Sequence, residues 1–347
     1  MQQTAKNNVG NKNYIYKGVF NFELGETLSE LKIDYSTYGT LNKEKSNVIW
    51  VCHALTANAE PIEWWPGLVG EGFLYNPSEH FIVCANILGS CYGTSGPIEL
   101  NPVTGKPYYL SFPQVTIRDM VAAHELLRKH LGIDKIHTCL GGSLGGQQAL
   151  EWSIQNPNLI DHLILMATNA SHSAWGIAFN EAQRMAIKAD PTWDADSLDA
   201  GKAGMGAARA MALLSYRTYE TYKSTQSEDG CETVNNFKAV SYQRYQGEKL
   251  IKRFNCHSYL YLTQAMDSHN VGRGRGSVEK ALSTIKSKTL LLGIGSDILF
   301  PPSEQKFIQH HVAGAIYKEI DSLYGHDGFL IETEEIAGII SEFYKVV

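Results

Sequence analysis

Residues 141 to 145, Gly-Gly-Ser-Leu-Gly, set one hydroxyl, that of Ser143, in a run of glycine. The short apolar stretch KIHTCL (135–140) precedes them and a helical pattern follows from 144. That context matches a G-x-S-x-G turn, in which a strained strand-to-helix corner lifts a serine nucleophile to the end of a sheet. The flanking positions must be small because the corner is crowded. A serine hydroxyl becomes a good nucleophile only when a base takes its proton and a carboxylate holds that base in the right tautomer. Asp297 follows the strand-like KTLLLGIGS, and His326 follows AIYKEIDSLYG, so acid and base come in the order Ser, Asp, His. His53, His257, His269, His310 and His311 compete for the role of base, but none of them follows a final strand. Acyl transfer also needs backbone N–H groups for the tetrahedral oxyanion. Leu144 supplies one by position, and the loop CHALTAN (52–58) supplies the other, for which Leu55 is the choice.

Such a constellation needs a parallel sheet to hold it. NVIWVCHAL (47–55), HFIVCANIL (80–88), KIHTCL and DHLILMAT (161–168) are apolar runs of the length that buried parallel strands have, and LSELKIDYSTYGT reads as an earlier extended strand. VTIRDMVAAHELLRKHLGI carries Ile117, Met120, Val121, Leu127 and Leu131 near one helical face. Strand, helix, strand in succession predicts a mostly parallel α/β sheet with helices on both faces. From 172 to 286 the pattern turns helical and rich in tyrosine, which predicts a helical lid inserted into a core formed by 1–171 and 287–347. KTLLLGIG and AIYKEI resume the strands, and TEEIAGIISEFYKVV closes the chain as an amphipathic helix. SHNVGRGRGSVEK (268–280) reads as a hinge or return loop, and GKAGMG (201–206) lacks the preceding strand that a nucleotide-binding loop requires.

The bulk properties narrow the partners. The chain has 347 residues, 44% of them hydrophobic and 19% charged, with a formal net charge of −6. Nucleic acid and anionic membranes would select a basic surface, so neither is expected as a partner. The first ten residues, MQQTAKNNVG, lack the apolar segment of a secretory signal, and no run approaches a membrane span, so a cytoplasmic protein is expected. Six scattered cysteines form no CxxC pair and no zinc-like cluster; they read as reduced thiols, mostly buried, with no metal site.

Nine blocks in order resemble the homoserine O-acyltransferases of the α/β-hydrolase superfamily: HALT (53), WWPGLVGEG (64), GTSGP (93), FPQVTIRDMV (112), GGSLGGQQALEW (141), ARAMALLSYRT (208), SHNVGRGRG (268), SDILFPP (296) and YGHDGFL (324). The resemblance runs nearly end to end. It implies an α/β-hydrolase fold and a ping-pong reaction of methionine biosynthesis. Ser143 would take the acyl group from acetyl-CoA, a co-substrate with no bound cofactor, and pass it to the hydroxyl of L-homoserine. The family's amino-acid pocket falls on Thr56, Arg209, Tyr216 and Asp327. A guanidinium suits the substrate carboxylate and the Asp327 carboxylate suits the α-ammonium. A homodimer made through the lid is likewise implied. The chain departs from the family's usual pattern at Ala57, Ser95, Leu144 and Gln147; Ala57 and Gln147 lie near the expected acyl pocket. Serine as acceptor, a succinyl donor, and esterase chemistry on the same triad remain the alternatives. Arg273 and Arg275 read as a solvated loop ahead of contacts to coenzyme A phosphates.

Overall fold

The apolar runs become strands because both faces of the sheet they form are covered. A computed structural model describes residues 12–347. The strands are β1 (Lys12–Tyr16), β2 (Phe20–Asn21), β3 (Thr27–Leu28), β4 (Leu31–Tyr38), β5 (Val48–Cys52), β6 (Phe81–Ala85), β7 (Ile136–Gly142), β8 (Ile160–Met166), β9 (Lys288–Ile294) and β10 (Ile316–Ile320). Among the described residues eight of them form one sheet in the order β1-β4-β6-β5-β7-β8-β9-β10, and β2 pairs with β3 apart from it. β4 runs antiparallel to β1 and β6, and every other pairing in the sheet is parallel.

Alternation along the central strand shows how the layers are held. Trp50 and Cys52 of β5 point into a cluster with Met120, Leu150 and Trp152. Ile49 and Val51 point the other way, among Trp65, Ile336 and Ile340. A strand buried on both faces reads as an unbroken apolar run, which is why period-two patterning is absent from VIWVC. The helices that cover the sheet are α1 (Pro61–Trp64), α2 (Ile117–His130) and α3 (Leu144–Gln155) before β8, and α10 (Pro302–His311), α11 (Gly328–Ile331) and α12 (Thr333–Val346) after β9. Helix α2 begins where it does because Thr116 and Asp119 cap each other's backbone N–H groups, at 2.8 and 3.3 Å.

Between β8 and β9 lie α4 (Ala174–Lys188), α5 (Lys202–Tyr216), α6 (Tyr219–Gln226), α7 (Lys238–Ile251), α8 (Cys256–Asp267) and α9 (Val278–Leu282), with no sheet strand among these described residues. No helix of the described residues is long and apolar enough to cross a membrane. Four of the six cysteines are buried, Cys91 is partly buried and Cys231 is exposed, and all are free thiols.

The topology sets where a site can form. From β5 the chain goes to one side for β6 and returns on the other side as β7, so the strand order reverses at the carboxyl ends of β5 and β7. Open α/β sheets bind ligands at such a point because the loops diverge and leave a crevice. Here the two loops are the Cys52–Ala57 segment and the corner at Ser143. They are packed backbone to backbone. A Cβ built on Gly145 would lie 2.1 Å from the Cys52 carbonyl oxygen, and one on Gly141 would lie 2.4 Å from the Gly145 carbonyl carbon. Gly145→Ala therefore forces the central strand and α3 apart, and should lower unfolding stability by about 1–3 kcal/mol. Gly338→Ala is the contrast: it sits on the exposed side of α12 with nothing within 4 Å of its added Cβ. It should raise stability by up to about 1 kcal/mol through helix propensity alone. Urea midpoints of the two variants, moving in opposite directions, check both.

Candidate active site

Ser143 occupies the corner between β7 and α3 with φ 56° and ψ −126°, a region that L-residues rarely visit. Three bonds hold it there. Its N–H donates to the Met166 carbonyl (3.0 Å), and its own carbonyl accepts from the Gln147 N–H (3.1 Å) and the Thr168 hydroxyl (2.8 Å). Leu144 is the first helical residue of α3, where backbone N–H groups have no partner inside the helix. The corner thus combines a strained serine with the positive end of a helix dipole.

Asp297 and His326 meet as expected. Asp297 lies in the turn after β9, where its Oδ1 accepts the Leu299 and Phe300 N–H groups at 2.8 and 2.9 Å. Its Oδ2 lies 2.7 Å from His326 Nδ1. A carboxylate can only accept, so Nδ1 carries the proton and Nε2 presents a lone pair. Burial alone would push the His326 pKa down, but the Asp297 charge and hydrogen bond, with Asp327 adding to them, hold it above the ordinary histidine value. Phe300 stacks on the imidazole at 5.0 Å, and Phe329 lies 5.4 Å from it. The Phe329 ring also packs directly on Gly142. One ring therefore touches both the serine corner and the histidine.

Leu55, Thr56, Arg209, Tyr216, His326 and Asp327 all line a single cavity of about 660 Å³, with Ala57 among its other walls. Asp297 lies behind His326. Ser143 and Leu144 are not among the cavity's lining residues, and among the described residues no hydrogen bond joins Ser143 to His326; Phe329, against Gly142 on one side and His326 on the other, is what connects the corner to the imidazole. The Arg209 guanidinium sits 5.4 Å over the Tyr216 ring, and among the described residues it has no carboxylate partner. Seven residues separate the two on α5, so they share a helical face. The Tyr216 ring in turn lies 5.6 Å from the His326 ring. Asp327 follows His326 in the same short 3-10 turn, Gly325–Asp327. Its Oδ2 pairs with Arg217 Nε at 2.8 Å.

The loop after β5 is braced from within. Gln148 Nε2 donates to the His53 carbonyl (3.2 Å), and the Ile87 N–H donates to His53 Nε2 (3.0 Å). His53 must then carry its proton on Nδ1, which donates to the Ala54 carbonyl (2.9 Å). Burial pushes the His53 pKa down to about 4, so this ring is a neutral strut and not a base. His269 is likewise neutral, pushed by burial to about 3 and bonded to the Asn169 carbonyl at 3.1 Å. His310 and His311 stand together in the last turn of α10, and His257 is buried in α8.

Several functional neighbours escaped sequence reasoning. Arg217, Lys249 and Arg253 bring positive charge to or beside the cavity, and nothing in their local sequence marks them. The return-loop arginines need a correction: neither is merely solvated. Arg273 pairs with Glu23 (2.8 Å), and Arg275 pairs with the buried Glu151 (2.5 Å), so both tie the loop to the core. Gln147, expected beside the acyl pocket, is fully buried behind the corner and donates to Asn169 Oδ1 at 3.0 Å.

A family model for the alpha/beta hydrolase fold matches residues 47–333. A homoserine O-acetyltransferase of Cyclobacterium marinum is 51% identical over 322 residues, covering 93% of this chain and 92% of the relative. The chain belongs to the homoserine O-acetyltransferase family of α/β hydrolases. The crystal structure of the homoserine O-acetyltransferase from Bacillus anthracis superposes with a TM-score of 0.89 at 25% identity, over 96% of this chain and 97% of that one. Esterase E22 superposes equally far, with a TM-score of 0.88 at 24% identity over 96% and 99%, and shares the fold alone.

The Asp297–His326 geometry gives this homoserine O-acetyltransferase family member a pH signature. With His326 as the proposed base, which works only when neutral, activity should rise with pH through its pKa, above the ordinary histidine value. Asp297→Asn removes the charge that raises that pKa while burial still lowers it, so the acid limb of kcat/KM should move to lower pH. It also releases the tautomer, and kcat should drop by about 10⁴-fold. A pH–rate profile of the variant measures both.

Proposed function

We propose that this chain transfers an acetyl group from acetyl-CoA to the hydroxyl of L-homoserine through an acyl-Ser143 intermediate. His326 Nε2 takes the Ser143 proton as Oγ attacks the thioester carbonyl. The N–H groups of Leu144 and Leu55 receive the negative charge that develops on the carbonyl oxygen. When the tetrahedral adduct collapses, the C–S bond breaks and His326 gives the proton to the departing coenzyme A sulfur. In the second half, His326 takes the proton of the homoserine hydroxyl, that oxygen attacks the acyl-serine, and Ser143 leaves with the proton returned from His326.

The observation that carries the acceptor is a pair of opposite charges in the cavity that holds His326: the Arg209 guanidinium, without a carboxylate of its own, and the Asp327 carboxylate. Arg209 can take both oxygens of the homoserine carboxylate. Asp327 uses Oδ2 for Arg217, leaving Oδ1 for the α-ammonium. Tyr216 and Thr56 line the space between. We assign residues 172–286 as a lid over the core formed by 1–171 and 287–347, since α5 contributes Arg209 and Tyr216 from above the sheet edge. Exposed Leu214, Tyr219 and Tyr245 on that lid support a homodimer made through it.

Release of free thiol from acetyl-CoA, followed with and without L-homoserine, tests the reading. Turnover should require homoserine, and double-reciprocal plots at several homoserine concentrations should be parallel. Fast turnover without an acceptor would make the protein an esterase, and preference for serine or succinyl-CoA would correct the substrate. Ser143→Ala should lower kcat by about 10⁴-fold or more. Arg209→Met should raise KM for homoserine about 10- to 100-fold, as expected for a lost charge-assisted bond, while acyl-enzyme formation from acetyl-CoA proceeds at the wild-type rate.

A further inference from the structure

The cavity holds a second guanidinium, Arg253, which the acceptor reading does not use. It sits in the turn between α7 and α8, a part of the lid that is fastened to the core. Phe254 is buried edge-on against Tyr92 at 5.7 Å, and the Cys91 thiol points at the Arg253 carbonyl at 4.0 Å. From this footing the Arg253 side chain crosses to the loop after β5. Nη1 donates to the Thr56 carbonyl and, at 2.8 Å, to the Tyr92 hydroxyl, and Nη2 lies 3.4 Å from Thr56 Oγ1. Among the described residues Arg253 has no carboxylate partner, so its charge is directed at a neutral peptide and two hydroxyls.

The peptide it grips has a particular place. Residues 54–57 form a reverse turn closed by the Ala57 N–H on the Ala54 carbonyl (3.0 Å), with Leu55 and Thr56 at its two central positions. His53 holds the inner end of that turn through the Ala54 carbonyl. Nothing from the sheet side reaches the Thr56 carbonyl, which meets Arg253 alone among the side-chain donors described. The closing bond fixes the two ends of the turn to each other, and the Arg253 grip on the Thr56 carbonyl holds the closed turn as a unit against the lid, which restrains the whole of it, the Leu55 N–H included, from shifting.

We propose that Arg253 is a positioning residue: it fixes the tip of the 54–57 turn so that the Leu55 N–H stays aimed at the developing oxyanion, and it thereby makes the oxyanion site depend on the seated lid. This rests on the reading of Leu55 as an oxyanion donor and adds a residue to that reading. A preorganised donor stabilises the transition state more than the ground state, so the loss should appear in kcat and in transition-state mimics and not in KM.

The test compares wild type, Arg253→Met and Arg253→Lys by the rate of acyl-enzyme formation, KM for acetyl-CoA and homoserine, thermal midpoint, and inhibition by a small alkyl boronic acid. A boronic acid adds to the serine oxygen and places one of its own oxygens where the oxyanion forms. Arg253→Met should acylate about 10- to 100-fold more slowly, somewhat less than the loss of a whole oxyanion donor, and should bind the boronic acid weaker by a similar factor. Both KM values and the midpoint should stay at wild-type levels, and Arg253→Lys, which keeps one charged donor, should recover part of the loss. If the Met variant folds poorly, Arg253→Gln, with a neutral donor for the Thr56 carbonyl, serves the same comparison. Unchanged boronic acid affinity, or a loss confined to KM for acetyl-CoA, would overturn the proposal while leaving the site reading intact. A wild-type enzyme that binds the boronic acid no better than Ser143→Ala would instead overturn the site reading itself.

Discussion

The contact on which the rest depends is the approach of two backbones, the start of α3 against the end of β5. Gly145 lies directly on the Cys52 carbonyl, closer than any side chain allows. The strand that ends at Cys52 continues at once into His53, Ala54 and Leu55, and the helix begins one residue after Ser143. Ser143 and a loop from a different part of the chain are thereby placed in register by contact between main chains. Gln148, one turn further along α3, repeats the tie through the His53 carbonyl. Backbone contacts of this kind are stiff, since they have no rotamers to absorb displacement. The positive φ of Ser143 is sustained by the same crowding, with Met166 at the end of β8 and Thr168 just beyond it bonded behind.

Charge is arranged around that rigid centre in two tiers. Asp297 is locked by two backbone N–H groups and serves only His326. Asp327, the next residue after the histidine, faces the cavity and shares its charge with Arg217. His53 and His269 are held neutral by burial, whereas His326, beside the cavity, has a raised pKa. Opposite environments for similar groups are how one fold separates its base from its scaffolding.

Much of this was legible in the sequence, for identifiable reasons. Buried parallel strands advertise themselves as apolar runs, and the serine corner advertises itself through glycines that the geometry shows to be required. Edge strand β1 was not legible: KNYIY is short, and its alternating positions are exposed, so it carries little apolar signal. The order Ser143, Asp297, His326 could be read because each follows a strand, and the structure puts Asp297 and His326 in contact; the comparisons with known proteins agree with the family read from the nine blocks. Arg217 and Arg253 could not be read, because a long cationic side chain chooses its partner from tertiary neighbours. Arg253 reaches across 197 positions in sequence to Thr56. Arg273 and Arg275 were underrated for the same reason, their partners Glu23 and Glu151 lying 250 and 124 positions away.

The short turn Gly325–Asp327 puts the proposed base and the carboxylate proposed for the acceptor's ammonium on adjacent residues of one 3-10 segment. The two groups therefore share one piece of backbone, and any displacement of the turn carries the proton acceptor and the ammonium site together.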